Sequence, residues 1–415
     1  MVPVGSRLGI ATVAAIGWLL TVVTPVHGQS DLPQVLARAL KENPDIRLAR
    51  LRVDSATAER RIARAVPNPT LSGVSNAPYQ YTATVPLDIG PDRLFRTRAA
   101  SQGARAVRLD LDNVERQVRY LVRKGFYDLL LADALLQTAR EKRDTFRQLL
   151  EADSARVRAG DAPARNLIKS ELELARADAD QTRAEADVRA ARIAIQLLMG
   201  APNPDPGFTV RGNLRYRDLG PLDAPAAPIN RPDVIAAQSR VGQARSARSL
   251  VAADLLPAPT MTLTYQPDGG FARRELWTLG GSGRFSLGVG LQIPLLSWSG
   301  GQRARATSQV ESAVAEEQRA RVQVEADVIL ARDQFRASSI LASRYQSTLL
   351  DRARTALDQA RYAYQSGATS LLDVLEAIRT YGDTQVAAAQ ACRDYWVSVA
   401  ALSAAIGTDV RPDDD

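Results

Sequence analysis

Histidine and cysteine, the side chains that most often serve as bases, nucleophiles or metal ligands, are nearly missing from this chain. The sequence contains one histidine, His27, and one cysteine, Cys392. His27 lies beside an expected signal cleavage site, so we expect the mature chain to contain no histidine. A single cysteine can form neither an internal disulfide nor a zinc-binding cluster. These residues argue against nucleophilic and zinc-dependent catalysis, and we expect no enzyme, no cofactor and no bound metal.

The charged residues with the most suggestive spacing are two carboxylates, Asp373 and Glu376, which follow a glycine-containing turn. Residues three positions apart lie on one face of a helix, so these two carboxylates can contact the same partner. The simplest interpretation is an acidic first turn that complements the helix dipole. Any larger role depends on the elements that position them.

The first residues are typical of an export signal. Arg7 supplies a positive charge, Leu8 to Val23 form an apolar stretch, and the residues up to Gly28 resemble a cleavage site. The apolar stretch is short for a membrane span of ~20 residues, which disfavours the alternative of an uncleaved anchor helix. No cysteine stands at the cleavage site, so we expect an exported protein without a lipid anchor.

The formal charge of +7 does not by itself indicate nucleic acid. From Arg303 to Arg321 the arginines are interleaved with acidic residues and form no basic block, which is typical of a solvated helix surface. We therefore expect no nucleic acid among the partners.

Internal repetition is the most informative feature of the sequence. Five short motifs of the first half recur in the same order in the second half. The pairs are Asn43-Pro44-Asp45 with Arg231-Pro232-Asp233, Val66 to Leu71 with Leu256 to Met261, Val85-Pro86-Leu87 with Ile293-Pro294-Leu295, Arg158-Ala159-Gly160 with Gln365-Ser366-Gly367, and Leu198-Met199-Gly200 with Ala405-Ile406-Gly407. The chain is a duplication with one insertion in the second copy.

Each copy predicts a helix, a strand hairpin, a very long helix, a turn and a returning helix. The long helices are predicted from Phe95 to Ala159 and from Arg303 to Ser366, the second being roughly 95 Å long at ~1.5 Å per residue. Such a helix needs lateral partners along its length. Seam residues recur every three or four positions, although this periodicity also fits a solid four-helix bundle. They are Val107, Leu111, Val114, Val118 and Leu121, and Val324, Val328, Ala331, Phe335, Ser338, Ala342, Tyr345 and Leu349.

The predicted strands alternate apolar residues with small or polar ones. Ser286 to Leu295 alternates throughout, and the stretches around Met261 to Tyr265 and Tyr81 to Leu87 do the same. This pattern fits the wall of an outer membrane barrel, or a soluble β subdomain that caps a helical bundle. Four strands per chain, two from each copy, cannot close a barrel that needs at least ~8 strands. If the strands face lipid, several chains must share one barrel.

One segment carries a strong resemblance. Tyr364 to Ala377, with the sequence YQSGATSLLDVLEA, resembles the turn and returning helix at the periplasmic end of TolC-like outer membrane efflux proteins. Ser299 to Arg303 resembles the glycine-rich step from strand to long helix in that family. Asn68-Pro69 and Pro259 resemble its helix-to-strand transitions. The resemblance covers essentially the whole mature chain.

The resemblance implies a mostly α-helical fold with a small membrane β part, assembled as a homotrimer with a 12-stranded β-barrel continued by a 12-helix α-barrel. It also implies that the chain is the passive channel of a tripartite pump, and that this channel lies in the outer membrane in contact with lipid. The expected partners are a periplasmic adaptor, also called a membrane fusion protein, and an inner-membrane transporter of the RND type.

The resemblance also assigns roles at the two helical turns. It implies a pore constriction at Asp373 and Glu376, where threefold symmetry would gather the carboxylates in a ring that favours cations. On the first-copy helix we predict a latch in which Lys169 or Arg165 pairs with Asp373 or Glu376, while Asn166 replaces an expected acid. The predicted docking tips for the adaptor are Ala159, Gly160, Asp161, Ala162, Ser366, Gly367, Ala368, Thr369 and Ser370.

Three cargoes remain open within the family: metal cations, small organic toxins and secreted polypeptides of a type I system. The missing lipid-anchor cysteine and the short first hairpin favour the heavy-metal-efflux branch. A structurally different alternative is a periplasmic coiled-coil scaffold with a small β cap.

The predicted domain organisation follows the repeat. The segments are a signal peptide at 1–28, periplasmic helices at 29–66, the first barrel hairpin at 67–92, a long helical hairpin at 93–199, a linker or equatorial segment at 200–230, a periplasmic helix at 231–256, the second barrel hairpin at 257–299, the second long helical hairpin at 300–407 and a C-terminal tail at 408–415.

Overall fold

The structure, a computed structural model, describes residues 30–74, 79–220, 231–253, 256, 258–267, 278–280, 285–292 and 300–408. The expected signal segment, the predicted turn near 76–78, the end of the strand predicted to reach 295 and the last residues of the tail lie outside the described residues.

Both copies contain the predicted sequence of elements. The first copy contains α1 (Leu32–Glu42), α2 (Pro44–Arg64), β1 (Thr70–Val74), β2 (Gln80–Pro86), α3 (Pro91–Ala159) and α4 (Ala164–Leu198). The second contains α5 (Pro232–Ala253), β3 (Ala258–Tyr265), β4 (Thr278–Gly280), β5 (Phe285–Gln292), α6 (Gly300–Arg344), a π-helical turn (Tyr345–Leu349), α7 (Leu350–Gln365) and α8 (Leu371–Ile406). Among the described residues, none of these helices combines the length and apolar character needed to cross a membrane.

Asn43 forms the junction at the base of the first copy. Its side-chain oxygen accepts hydrogen bonds from the backbone N–H groups of Asp45 (2.9 Å) and Ile46 (3.2 Å), which caps α2. Its amide nitrogen donates to the carbonyl of Leu198, the last residue of α4, at 2.8 Å. Gly200 follows with φ of 72°, and a Cβ there would lie 2.3 Å from the carbonyl oxygen of Glu42. The break predicted near Pro44 is therefore a capped helix junction.

Arg231 forms the corresponding junction of the second copy. Its guanidinium is 3% exposed and contacts the carboxylates of Asp233 (2.7 Å) and Asp327 (2.9 Å). It also donates to the carbonyl of Ala405, near the end of α8, at 3.4 Å. Arg116 of α3 donates to the neighbouring carbonyl of Ala404. This junction therefore links helices through a charged network.

The long helix α3 contains 69 residues and spans roughly 100 Å at ~1.5 Å per residue. Its buried face includes Leu111 and Val118 of the predicted seam, whereas Leu121 is 42% exposed. The buried row continues instead through Val122 and Phe126, which keep the three-to-four-residue spacing on the covered side.

The sequence predicted a single α-helix from Arg303 to Ser366, but the structure interrupts it. The seam residues from Val324 to Ala342 are buried in α6, but Tyr345 to Leu349 form one π-helical turn before α7 begins. A π turn contains an additional residue and rotates the following face. Leu349, predicted in the seam, is therefore 42% exposed.

The linker crosses the helices as a strap, which we define as residues 209–219. Val210 forms a parallel bridge with Ser30, and Gln346 in the π turn bonds to both backbone groups of Tyr216, at 2.7 and 3.3 Å. From α8, Tyr395 and Trp396 donate to strap carbonyls at 2.7 and 3.0 Å. The strap is thus hydrogen-bonded both to the π turn and to α8.

The strands form one antiparallel sheet in the order β1-β2-β3-β5-β4, so that β2 and β3 join the two copies. The sequence predicted four strands, and the structure adds β4, a three-residue strand that pairs with the outer side of β5.

The two faces of the sheet differ in character. Cross-strand rows such as Ala83, Leu263 and Leu287 are apolar, and Tyr81, Tyr265 and Phe285 form an aromatic row with ring centroids 6.5 and 4.9 Å apart. The alternate rows contain Thr, Ser and Gly, as expected for a barrel wall. Leu263 is 46% exposed, so the apolar face lacks cover within one chain.

Candidate functional site at the helical turns

The two long hairpins end in turns of the same construction. Gly160 and Gly367 adopt left-handed φ angles of 83° and 76°. One residue later, the N–H of Asp161 donates to the carbonyl of Arg156 at 2.9 Å, and the N–H of Ala368 donates to that of Ala363 at 2.8 Å. This arrangement ends the helix and satisfies its last carbonyls. Most of the residues predicted as docking tips are exposed, while Ala162 and Thr369 are half-buried.

The returning helices begin differently. Ser370 caps α8: its hydroxyl and the carboxylate of Asp373 form a capping box, and Asp373 also accepts from the hydroxyl of Thr369 at 2.6 Å. The hydroxyls of Thr369 and Ser370 lower the pKa of Asp373 below its ordinary value. At the start of α4, Pro163 offers no side-chain cap. Asp373 thus performs the helix-capping role that its sequence position allowed.

Behind the turns, a buried carboxylate joins three helices. Asp153 of α3 is 0% exposed and accepts hydrogen bonds from the hydroxyls of Ser170 on α4 and Tyr364 on α7. Burial and the bond to Asp153 raise the pKa of Tyr364 to about 12, so its hydroxyl stays protonated. The guanidinium of Arg156 lies 4.8 Å from the ring centroid of Tyr364 and donates to its carbonyl at 3.2 Å.

One turn further from the tip, an ion pair connects the two hairpins. Glu173 of α4 is 8% exposed and accepts from Arg379 of α8 at 2.7 Å. It also accepts from Arg176 on its own helix at 3.0 Å. These contacts lie beside an apolar cluster that contains Phe146, Leu149, Leu357 and Val374, among others. The tip is a tightly packed unit within a single chain.

The pairing predicted for the latch is not formed inside the described chain. Among the ion pairs of the described residues, none joins Arg165 or Lys169 to Asp373 or Glu376, and all four are exposed. The pair that does form has the opposite polarity, with the acid on α4 and the base on α8. The carboxylate of Asp373 is already occupied by its capping contacts. The roles of these residues and of half-buried Asn166 stay predictions.

Sequence reasoning missed Asp153, Ser170, Glu173 and Arg379. A signal for Asp153 was present, because it follows Phe146 and Leu149 at the spacing of the buried seam, where a carboxylate needs a partner. The identity of that partner comes from another helix and is not visible in local sequence.

A helical body that ends in two capped turns and carries a sheet with one exposed apolar face is the architecture of an outer membrane channel subunit. The family model for the outer membrane efflux proteins matches residues 35–201 and 225–408. The chain belongs to this family of efflux channels, as the sequence motifs had predicted.

Individual relatives agree with this assignment. The cobalt-zinc-cadmium resistance protein CzcC of Cupriavidus metallidurans is 26% identical over 85% of this chain and 84% of its own length. The cation efflux system protein CusC of Escherichia coli K12 is 23% identical over 85% of this chain and 80% of its own length. The CmeC outer membrane channel of Campylobacter jejuni has a similar fold, with a TM-score of 0.78 and 18% identity over 91% of this chain and 86% of its own.

Proposed function

We propose that three copies of this chain form a passive exit duct in the outer membrane for metal cations. The observation that carries the proposal is the sheet. Its apolar face is exposed, and β1 and β4 stand at its two ends. In hydrocarbon, every unpaired edge N–H or C=O group costs several kcal/mol. The described part of each chain has four strands longer than the three-residue β4. Two copies would therefore supply roughly eight of these strands and a lumen filled by side chains, whereas three copies would supply roughly twelve and leave a pore.

The helices support the same assembly. On α6, Val322 and Leu330 are 66% and 67% exposed, and Ile329 and Ile340 are more than half exposed. Apolar side chains along a helix of this length favour lateral contact with another copy. A trimer would cover these faces and extend the strand ring as an α-barrel in the periplasm. This arrangement disfavours a solid four-helix bundle within one chain.

The proposed cargo follows from the relatives. CzcC and CusC are named for metal resistance and cation efflux. Within the described residues, no group of three or more His, Cys, Asp or Glu side chains could hold a metal ion. We therefore assign the choice of metal to the partners, a periplasmic adaptor and an RND-type inner-membrane transporter. In the trimer, Asp373 and Glu376 would supply an acidic ring that favours cations.

Conduction is tested with the signal-processed protein purified from outer membranes. We expect heat-modifiable trimers and cation-selective single channels in planar bilayers. Asp373→Asn/Glu376→Gln should reduce cation selectivity, whereas Glu311→Gln, an exposed acid on α6, should leave it unchanged. A water-soluble monomer that never conducts would instead support the periplasmic scaffold.

The cargo is tested in a strain that lacks the gene. We expect sensitivity to divalent cations to rise at least fourfold and to return to normal on complementation. Unchanged metal tolerance with increased sensitivity to organic toxins would contradict the metal assignment. Loss of one secreted polypeptide would identify a type I secretion channel.

Cysteines introduced at Ser366 and Ala159 should crosslink to the adaptor if the turns are the docking tips.

A further inference from the structure

A cavity of about 670 Å³ lies beneath the strap, and none of its described lining residues belongs to either turn. Its walls are the start of α1, the middle of α3, the strap and the last part of α8. This volume is typical of small-molecule sites. The described lining residues that decide its chemistry are Arg123, Tyr127, Arg211, Arg215, Arg217 and Trp396.

The floor of the cavity is aromatic and preformed. The rings of Tyr127 and Trp396 are stacked, with centroids 5.6 Å apart and planes within 10°. Phe126 meets Tyr127 edge-on at 5.7 Å. The indole N–H of Trp396 donates to the carbonyl of Arg215 at 3.0 Å, which fixes the ring and the strap together. A planar apolar body can therefore stack on this floor without first ordering it.

The strap approaches the floor closely because of a glycine. A Cβ at Gly212 would lie 2.9 Å from a methyl carbon of Leu130 and 3.0 Å from the ring of Phe126. A side chain at this position would require Leu130 and Phe126 to shift, so glycine lets the backbone lie this close to α3. The flanking arginines are thereby brought to the mouth of the cavity.

The charge of the lining is strongly one-sided. Arg123 is buried in the wall, and Arg211, Arg215 and Arg217 are exposed at the rim. Asp31 is the one acid among the described lining residues, and it belongs to the capping box of α1 with Gln34. Guanidinium groups bind carboxylates and related oxyanions in bidentate geometry. The lining therefore disfavours a metal cation, the proposed cargo of the channel.

From these observations we infer that the cavity is a binding site for a small aromatic anion, such as an aromatic carboxylate. The ring stacks on the Tyr127–Trp396 floor beside the strap, and the acid group meets the arginines at the rim. The site is independent of conduction, so it can exist whether or not the channel carries metal cations.

The test uses 3,5-dibromobenzoate, whose bromines quench tryptophan fluorescence on contact. The sequence contains four tryptophans, and in Trp277→Phe/Trp298→Phe the signal-processed chain retains only Trp396. We expect saturable quenching of the assembled protein in detergent, at least tenfold tighter than with neutral 3,5-dibromobenzamide. Binding should weaken with added salt.

Matched arginine variants localise the site. Arg211→Gln/Arg215→Gln should weaken binding of the benzoate at least fivefold and leave the benzamide unaffected. Arg319→Gln, an exposed arginine on α6, should bind like the parent protein. Equal affinities for benzoate, benzamide and 3,5-dibromobenzylammonium would overturn the inference, as would rim variants with parental affinity. Binding of a glutamate-rich peptide without binding of the benzoate would also overturn it.

Discussion

The two copies of the repeat close the same junction with different chemistry. In the first copy a neutral amide, Asn43, caps one helix and donates to the end of another. In the second, Arg231 makes the equivalent bond within a network that includes Asp233 and Asp327. The backbone geometry required by the fold is therefore the same, while the side chains that satisfy it are free to diverge. The charged junction also reaches α6, which the neutral one does not.

The largest effect should come from removing the charged junction. Arg231→Met leaves two carboxylates without their partner, and breaking a buried ion pair costs about 3 kcal/mol of the free energy of unfolding. Asn43→Ala should cost about 1 kcal/mol, as for other helix caps. Thermal unfolding followed by circular dichroism compares them, with Arg38→Ala as the exposed control. Equal losses at the two junctions would show that charge adds nothing to the second.

The next difference is expected between the two glycines that follow the returning helices. Gly200→Ala combines left-handed strain with a collision at the carbonyl of Glu42, for a total of about 3 kcal/mol. Gly407→Ala meets no atom closer than Cγ of Arg231 at 3.5 Å and should cost about 1 kcal/mol, from strain alone. The same unfolding measurement separates them, and similar losses would contradict the close approach in the first copy.

The two turns differ in the residue three positions before the glycine, which is Val157 in the first copy and Tyr364 in the second. Tyr364→Phe removes one donor to buried Asp153 and should cost about 2 kcal/mol. We expect the loosened tip to raise single-channel conductance. Val157→Ala, on the other turn, should leave conductance unchanged.

The pKa of Tyr364 is raised to about 12, so the contribution of Tyr364 to the free energy of unfolding is complete below pH 10 and is lost as the pH rises toward 12.

The smallest effect concerns the helix starts. Ser370→Ala removes the cap of α8 and should cost about 1 kcal/mol, whereas Pro163→Ala at the uncapped α4 should cost less. The pKa of Asp373 is lowered by its capping contacts, so its contribution is present above its ordinary value of 3.8 and is lost as the pH falls below it. Unfolding curves at pH 7 and pH 3 test both statements. Identical curves for Ser370→Ala and the parent would exclude the capping role.

The sequence predicted most elements because their signals are local and repeated. Helix spans follow from apolar spacing and from the glycines at 160 and 367, and strand faces follow from strict alternation. The π turn at Tyr345 to Leu349 was not predicted, because its residues also fit the three-to-four-residue spacing of an α-helix. β4 is too short to show a period. The partners of Asp153 and Glu173 come from other helices, so only tertiary packing reveals them.

The order of strands in the sheet has one further consequence. Its two ends are different strands, β1 from the first copy and β4 beside β5 from the second. When β1 of one copy pairs with the β4 end of the next, the copies join head to tail, and a closed ring of such joints has cyclic instead of twofold symmetry. All interfaces in such a ring are identical, and each one needs its own β1. A single subunit with a damaged β1 would therefore leave one unpaired strand edge in the barrel wall, which the other subunits could not pair.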